Sequence, residues 1–110
     1  MFFKRKKAPE HLTVDVAGTS FRQDALEKCP RDEKITAKLK PEPTNKHDRN
    51  AVKVMIGKNF IGYVPRTHSS IVSGWIREDR IESCVCEIWM DEDDRLLVAS
   101  IKIQTKGDPQ

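Results

Sequence analysis

Apolar and polar residues alternate along most of the chain, the period-two signature of half-buried strands. Leu12, Val14 and Val16 alternate with Thr13 and Asp15 over residues 11–17. Gly18-Thr19-Ser20 breaks that run. Gln23 to Lys28 then reads as a short helix with Ala25 and Leu26 inward, stopped by Pro30. Residues 34–40 read as one strand, Ile35, Ala37 and Leu39 on one side and Lys38 and Lys40 on the other. Pro41 to Asn50 is dense in turn formers and reads as a loop. The plainest strand is Ala51–Ile56, where Val52, Val54 and Ile56 alternate with Lys53 and Met55. Gly57-Lys58-Asn59 turns it into a hairpin partner, Phe60 to Val64.

After Pro65 the period changes. Ile71, Val72, Trp75 and Ile76 fall on one helical stripe between Thr67 and Arg77, with Thr67 as the N-cap. Ile81–Met90 and Leu96–Ile103 are two further strands joined by an acidic turn. Leu97, Ala99, Ile101 and Ile103 share a face of the last strand. The pattern predicts a mainly β, α+β domain: a small OB-like or SH3-like barrel of five to six strands, with one helix inserted before the last two. Such a barrel covers both sheet edges with little chain.

The chain of 110 residues fits one domain. It divides into a flexible basic arm at 1–9, the barrel domain at 10–105 and a disordered tail at 106–110. Charged residues make up 34% and apolar residues 37%, enough for one modest core but little room for a deep cleft. The formal net charge of +3 permits a nucleic-acid partner without demanding one. Lys4 to Lys7 form a basic run, and Asp91 to Asp94 an acidic one. No apolar run approaches the ~18 residues of a membrane span, and the N-terminus lacks the apolar stretch of a signal peptide. Cys29, Cys84 and Cys86 lack disulfide or zinc spacing, which points to a reducing, cytoplasmic setting. Cys84 and Cys86 share one strand face and read as small core residues.

Three segments carry candidate chemistry. Gly18-Thr19-Ser20-Phe21-Arg22 offers an aromatic beside a cation and hydroxyls, a combination suited to stacking a base. The loop at 41–50 gathers Glu42, Asn45, Lys46, His47, Asp48, Arg49 and Asn50 between two strands, where a rigid sheet holds a polar loop in place. Gly62-Tyr63-Val64-Pro65-Arg66 leads into a helix N-terminus, whose free N–H groups favour a phosphate, with Arg66 beside it.

Read together, "VAGTSF" at 16–21, "EPTNKHDRNAVKV" at 42–54 and "IGYVPR" at 61–66 resemble the HIRAN domain in order and spacing, over roughly residues 11–105. The middle segment is the most specific. The resemblance implies an OB-like β-barrel that binds single-stranded DNA at a free 3′ end. Two aromatics grip the terminal base, an aspartate accepts the 3′-hydroxyl and cations hold the backbone. Phe21 matches the first aromatic, His47 the second, Asp48 the aspartate, and Asn45 and Asn50 the framing asparagines. Tyr63 and Arg66 fall in the strand-contacting segment. Ser20 stands where end-binding members carry an arginine, Phe21 lacks a hydroxyl, His47 replaces a tyrosine and Pro65 replaces a basic residue. Arg22, Lys46 and Arg49 stand close enough in sequence to supply the missing charge.

The chemistry is coherent on its own terms. An ionised Asp48 only accepts hydrogen bonds, which suits a sugar hydroxyl and repels a terminal phosphate. The expectation is a non-catalytic, monomeric domain without a cofactor that binds single-stranded DNA or DNA ends. Two rivals stand beside it. One is a protein-interaction module using the acidic turn and the basic arm within a DNA-processing or phage-defence complex. The other is a metal-dependent nuclease with Glu42, His47 and Asp48 as ligands, although these share one loop with no second acidic cluster.

Overall fold

The computed structural model describes residues 7–107, so Lys4, Arg5 and Lys6 of the expected arm and the end of the expected tail lie outside the described residues. Seven strands and two α-helices are described. The strands are β1 (His11–Asp15), β2 (Ile35–Thr36), β3 (Lys38–Pro41), β4 (Val52–Ile56), β5 (Asn59–Tyr63), β6 (Ile81–Asp91) and β7 (Leu96–Thr105). The helices are α1 (Gln23–Glu27) and α2 (Arg66–Arg77), and a 3-10 turn spans Thr19–Phe21.

All pairings are antiparallel, in two sheets ordered β1-β7-β6-β2 and β3-β4-β5. The mainly β class and the helix before the last two strands agree with the sequence pattern, but the sheets do not close into a barrel. They are instead stitched at two crossings. The first is at Val16 and Ala17: Val16 N–H donates to Ala99 of the first sheet at 2.8 Å, and Ala17 bridges Tyr63 of the second. The second lies at residues 35–41, expected as one strand. There β2 pairs with β6, Ala37 N–H still donates to Cys84 at 2.9 Å, and the chain then passes to β4 as β3. Ala37 is buried at the handover, where a larger side chain would crowd the junction.

The inward-facing residues form one core. Val52, Val54 and Ile61 from the second sheet meet Cys86, Ile88, Ile101 and Ile103 from the first, and Leu26 closes one side. On α2, Val72 and Trp75 are buried as the stripe predicts, but Ile71 is 49% exposed. The N-cap lies two residues earlier than expected. Thr67 lies inside the helix, and Pro65 occupies the N-cap with no side-chain cap bond. Ser69 and Ser73 share the buried face. Counting only apolar residues therefore turned the helix too far, because both serines have polar partners: the Ser69 hydroxyl donates to the Asp48 carboxylate at 2.6 Å, with the Arg66 carbonyl alongside at 3.1 Å, and Arg77 donates to Ser73 at 2.7 Å.

A clamp closes the domain where β1 meets β7. Arg80 is 8% exposed and donates to the Glu10 carboxylate at 3.2 Å, the Ala8 carbonyl at 3.1 Å and the Lys106 carbonyl at 3.3 Å. Thr105, fully buried, accepts the Glu10 N–H at 2.7 Å. No described helix is long and apolar enough to cross a membrane.

Gly62 sits under the first crossing with φ +154°, and a Cβ there would lie 2.4 Å from the Ala17 carbonyl oxygen. Gly62→Ala is expected to cost about 1–3 kcal/mol through this overpacking, read as a lowered urea midpoint. An unchanged midpoint would mean that the crossing yields freely. The cysteines give a second test. Burial pushes the Cys84 and Cys86 thiols up to about 12, and Cys29 is raised for the same reason. All three are expected to react with a disulfide reagent only at the rate of unfolding. Fast labelling of the native protein would contradict the packing around them.

Candidate nucleic-acid interface

The first crossing builds the site. Ala17 and Tyr63 exchange backbone hydrogen bonds of 2.8 and 2.9 Å, which brings the segment before Phe21 against β5. A β-bulge adds to this. Val54 faces Gly62 and Met55 faces Phe60, so Ile61 is the extra residue on β5. Phe60 and Tyr63, three apart, thereby come onto the same face, where a regular strand would oppose them. Their rings meet edge to face at 5.1 Å. The Arg22 guanidinium lies over Phe60 at 3.6 Å and the Lys53 ammonium at 4.8 Å.

The 41–50 loop is tied down by its own side chains. Asn45 Oδ1 accepts the N–H groups of His47 at 2.8 Å and Asp48 at 3.0 Å. Its Nδ2 donates to Glu42 Oε1 at 2.7 Å, which also accepts the Tyr63 hydroxyl at 2.8 Å. Lys53 pairs with Glu42 Oε2 at 2.9 Å. Asp48 is held on both oxygens: Oδ1 accepts the Asn50 N–H at 2.9 Å, and Oδ2 accepts the Ser69 hydroxyl at 2.6 Å. Each oxygen keeps a lone pair for a further donor.

Ala17, Asn45, His47, Asp48, Ala51, Tyr63, Val64 and Arg66 line an open cavity of about 230 Å³. Other hollows of about 340 Å³ exist, but they hold neither the loop nor the helix start. The Ser69 hydroxyl, then the Asn50 N–H and the Arg66 charge, hold the Asp48 carboxyl below its ordinary value, so it is an anion near neutral pH. Five predicted site residues therefore meet around one cavity: Asn45, His47, Asp48, Tyr63 and Arg66. Asn50 serves as a brace for Asp48. Arg22 joins through Phe60. Ser20, Lys46 and Arg49 are exposed and do not line the cavity. Phe21 is 90% exposed and so is not part of the core. Its turn begins two residues after Ala17, a lining residue.

Sequence reasoning missed three residues of the network. In the sequence Glu42 reads as part of the candidate loop and as a possible metal ligand, not as the hub that joins Asn45, Tyr63 and Lys53. Ser69 lies on a different element from Asp48. Phe60 shares the face of Tyr63 only because of the bulge. Among the described residues, no three His, Cys, Asp or Glu side chains gather as metal ligands would.

The hub titrates in a defined direction. Lys53, then Asn45 and Tyr63, hold the Glu42 carboxyl down to about 2. A depressed folded value means that its contribution to stability is complete above the ordinary carboxylate value of about 4.3 and fades as pH falls toward 2. Melting temperatures of wild type and Glu42→Gln are expected to differ at neutral pH and to converge through that window. A constant gap would show that the charge of Glu42 contributes nothing.

Two solved structures share this fold. A structural-genomics target from Lactobacillus plantarum aligns with a TM-score of 0.61 at 19% identity, over 91% of this chain and 99% of that one. The HIRAN domain of human HLTF aligns with a TM-score of 0.60 at 14% identity, over 87% of this chain and 76% of that one. No curated protein matches the sequence. The HIRAN domain family model matches residues 9–104, nearly all of the chain. With its loop, cavity and two-sheet frame in that order, this chain belongs to the HIRAN domain family, a family of nucleic-acid-binding domains.

Proposed function

We propose that this domain binds single-stranded DNA by a free 3′ end, without catalysis, and that the terminal nucleotide sits in the cavity beside Asp48. The observation that carries this reading is the Asp48 carboxylate. It is ionised, braced on both oxygens and left with spare acceptor capacity inside a small cavity. A sugar hydroxyl satisfies it, while a terminal phosphate meets like charge. Arg66 and the N–H groups at the start of α2 favour the preceding phosphate. Phe21, exposed and with no duty in the core, is an aromatic face for a base.

A second reading draws on the tip of the β6–β7 hairpin. Trp89 and Met90 are 37% and 44% exposed there, next to the acidic run Asp91 to Asp94. They point to opposite faces of β6, and an exposed aromatic beside a charged turn suits a protein partner.

The test is fluorescence anisotropy at low salt with a labelled strand ending in a 3′-hydroxyl, a 3′-phosphate or no end at all, as a circle. Wild type is expected to prefer the hydroxyl, and Asp48→Ala to lose about tenfold on that strand alone, the worth of one charge-assisted hydrogen bond. Equal binding of all three strands by wild type refutes the end-binding reading. Binding of none, with capture of a protein through Trp89, favours the hairpin tip.

A further inference from the structure

The outer face of the β3–β4–β5 sheet carries more charge than the cavity beside it needs. Residues paired directly across antiparallel strands share a face. Lys40 pairs with Lys53, which pairs with Tyr63; Lys38 pairs with Met55, which pairs with Phe60. Arg22 lies on the same face through its contact with Phe60. Four cations thus stand together against one carboxylate, Glu42, a surplus of three. The whole chain has a formal net charge of +3, so the charges elsewhere cancel. Lys38 and Lys40 are exposed and form no ion pair with any described residue.

β3 is the edge strand of its sheet, where exposed lysines discourage pairing with another chain, and here they also continue the line of a cation–aromatic stack. Glu42, the carboxylate on this face, is already engaged by Lys53, Asn45 and Tyr63, while Lys38 and Lys40 face Met55 and Lys53 across the strand. The row also starts at the cavity, because Tyr63 lines it and is the third member of the Lys40–Lys53–Tyr63 register. At roughly 4.8 Å between strands, the Lys40 backbone lies about 10 Å from that of Tyr63, and Lys38 lies about 7 Å further along its strand. These are spacings over which an extended polyanion can touch each cation in turn.

We propose that this face is a backbone track for single-stranded DNA, leading the strand away from the cavity with Lys40 and Lys38 on successive phosphates 5′ of the terminal nucleotide. The proposal rests on the reading of the cavity as the seat of that nucleotide. The track determines how many nucleotides the domain covers and how strongly salt weakens binding.

Oligothymidylates with a free 3′-hydroxyl, lengthened from a dinucleotide to an octanucleotide, test it by anisotropy. Wild type is expected to gain affinity with length and then level off. Lys38→Gln/Lys40→Gln is expected to bind the dinucleotide like wild type, to lose the gain with length, and to have a log K against log salt slope smaller by about 1.4, two phosphates' worth. Lys34→Gln/Lys102→Gln removes the same charge from exposed sites just before β2 and on β7 and is expected to keep both. Equal flattening in that control would reduce the effect to net charge and overturn the track. Length dependence that survives Lys38→Gln/Lys40→Gln overturns it too, even if the preference for a 3′-hydroxyl stands. Loss of the length gain in a protein without 3′-hydroxyl preference would leave the track standing and the end-binding reading refuted. No binding at any length refutes both.

Discussion

The approach of the Ala17 carbonyl to the Cα of Gly62 is the constraint on which the site depends. Only a residue without a Cβ lets the two backbones come so close, and that contact joins a segment leaving the first sheet to the edge strand of the second. Phe21, Tyr63 and the 41–50 loop belong to separate stretches of chain, and the crossing sets their relative positions. Because the sheets do not close into a barrel, the domain relies on two such handovers to keep one core between them. The bulge beside Gly62 belongs to the same device. It turns Phe60 and Tyr63 to one side just where the chain must pass.

The polar network is arranged to leave little to be ordered on binding. Asn45 organises the loop through three hydrogen bonds of 3.0 Å or less, and Glu42 fastens that loop to β4 and β5. Asp48 is fixed from the loop by Asn50 and from α2 by Ser69. A carboxylate held in this way needs no reorganisation when a hydroxyl arrives, so less of the binding free energy is lost to ordering. The same bonds keep it charged, so its order and its ionisation have one source.

Much of this was legible in the sequence, for reasons that vary by element. Strands β4 and β7 announce themselves by alternation, because one face of each is buried. The loop motif and its Asn45, His47, Asp48 and Asn50 could be read because turn chemistry is local. What escaped was non-local or broke a period. Alternation runs unbroken through Ala37, so the passage from one sheet to the other left no mark. On α2 the buried serines are hydrophilic on any scale, yet they have partners within reach, and only three-dimensional contact reveals them. Phe60 was missed because a period of two assigns it the face opposite Tyr63, and one extra residue reverses that assignment. The role of Glu42 depends on Lys53 and Tyr63, 11 and 21 positions away.

The Arg80 clamp has a consequence for how such a domain can be combined with others. Ala8 and Lys106 accept hydrogen bonds from the same guanidinium, so the described chain enters and leaves at one point. None of the cavity residues belongs to that seam. Neighbouring ends allow a domain to be inserted into a host loop, or to have its ends joined and reopened elsewhere. This fold therefore has the geometry of a cassette: it can be spliced into another polypeptide by both ends together while Asp48 and its surroundings stay as they are.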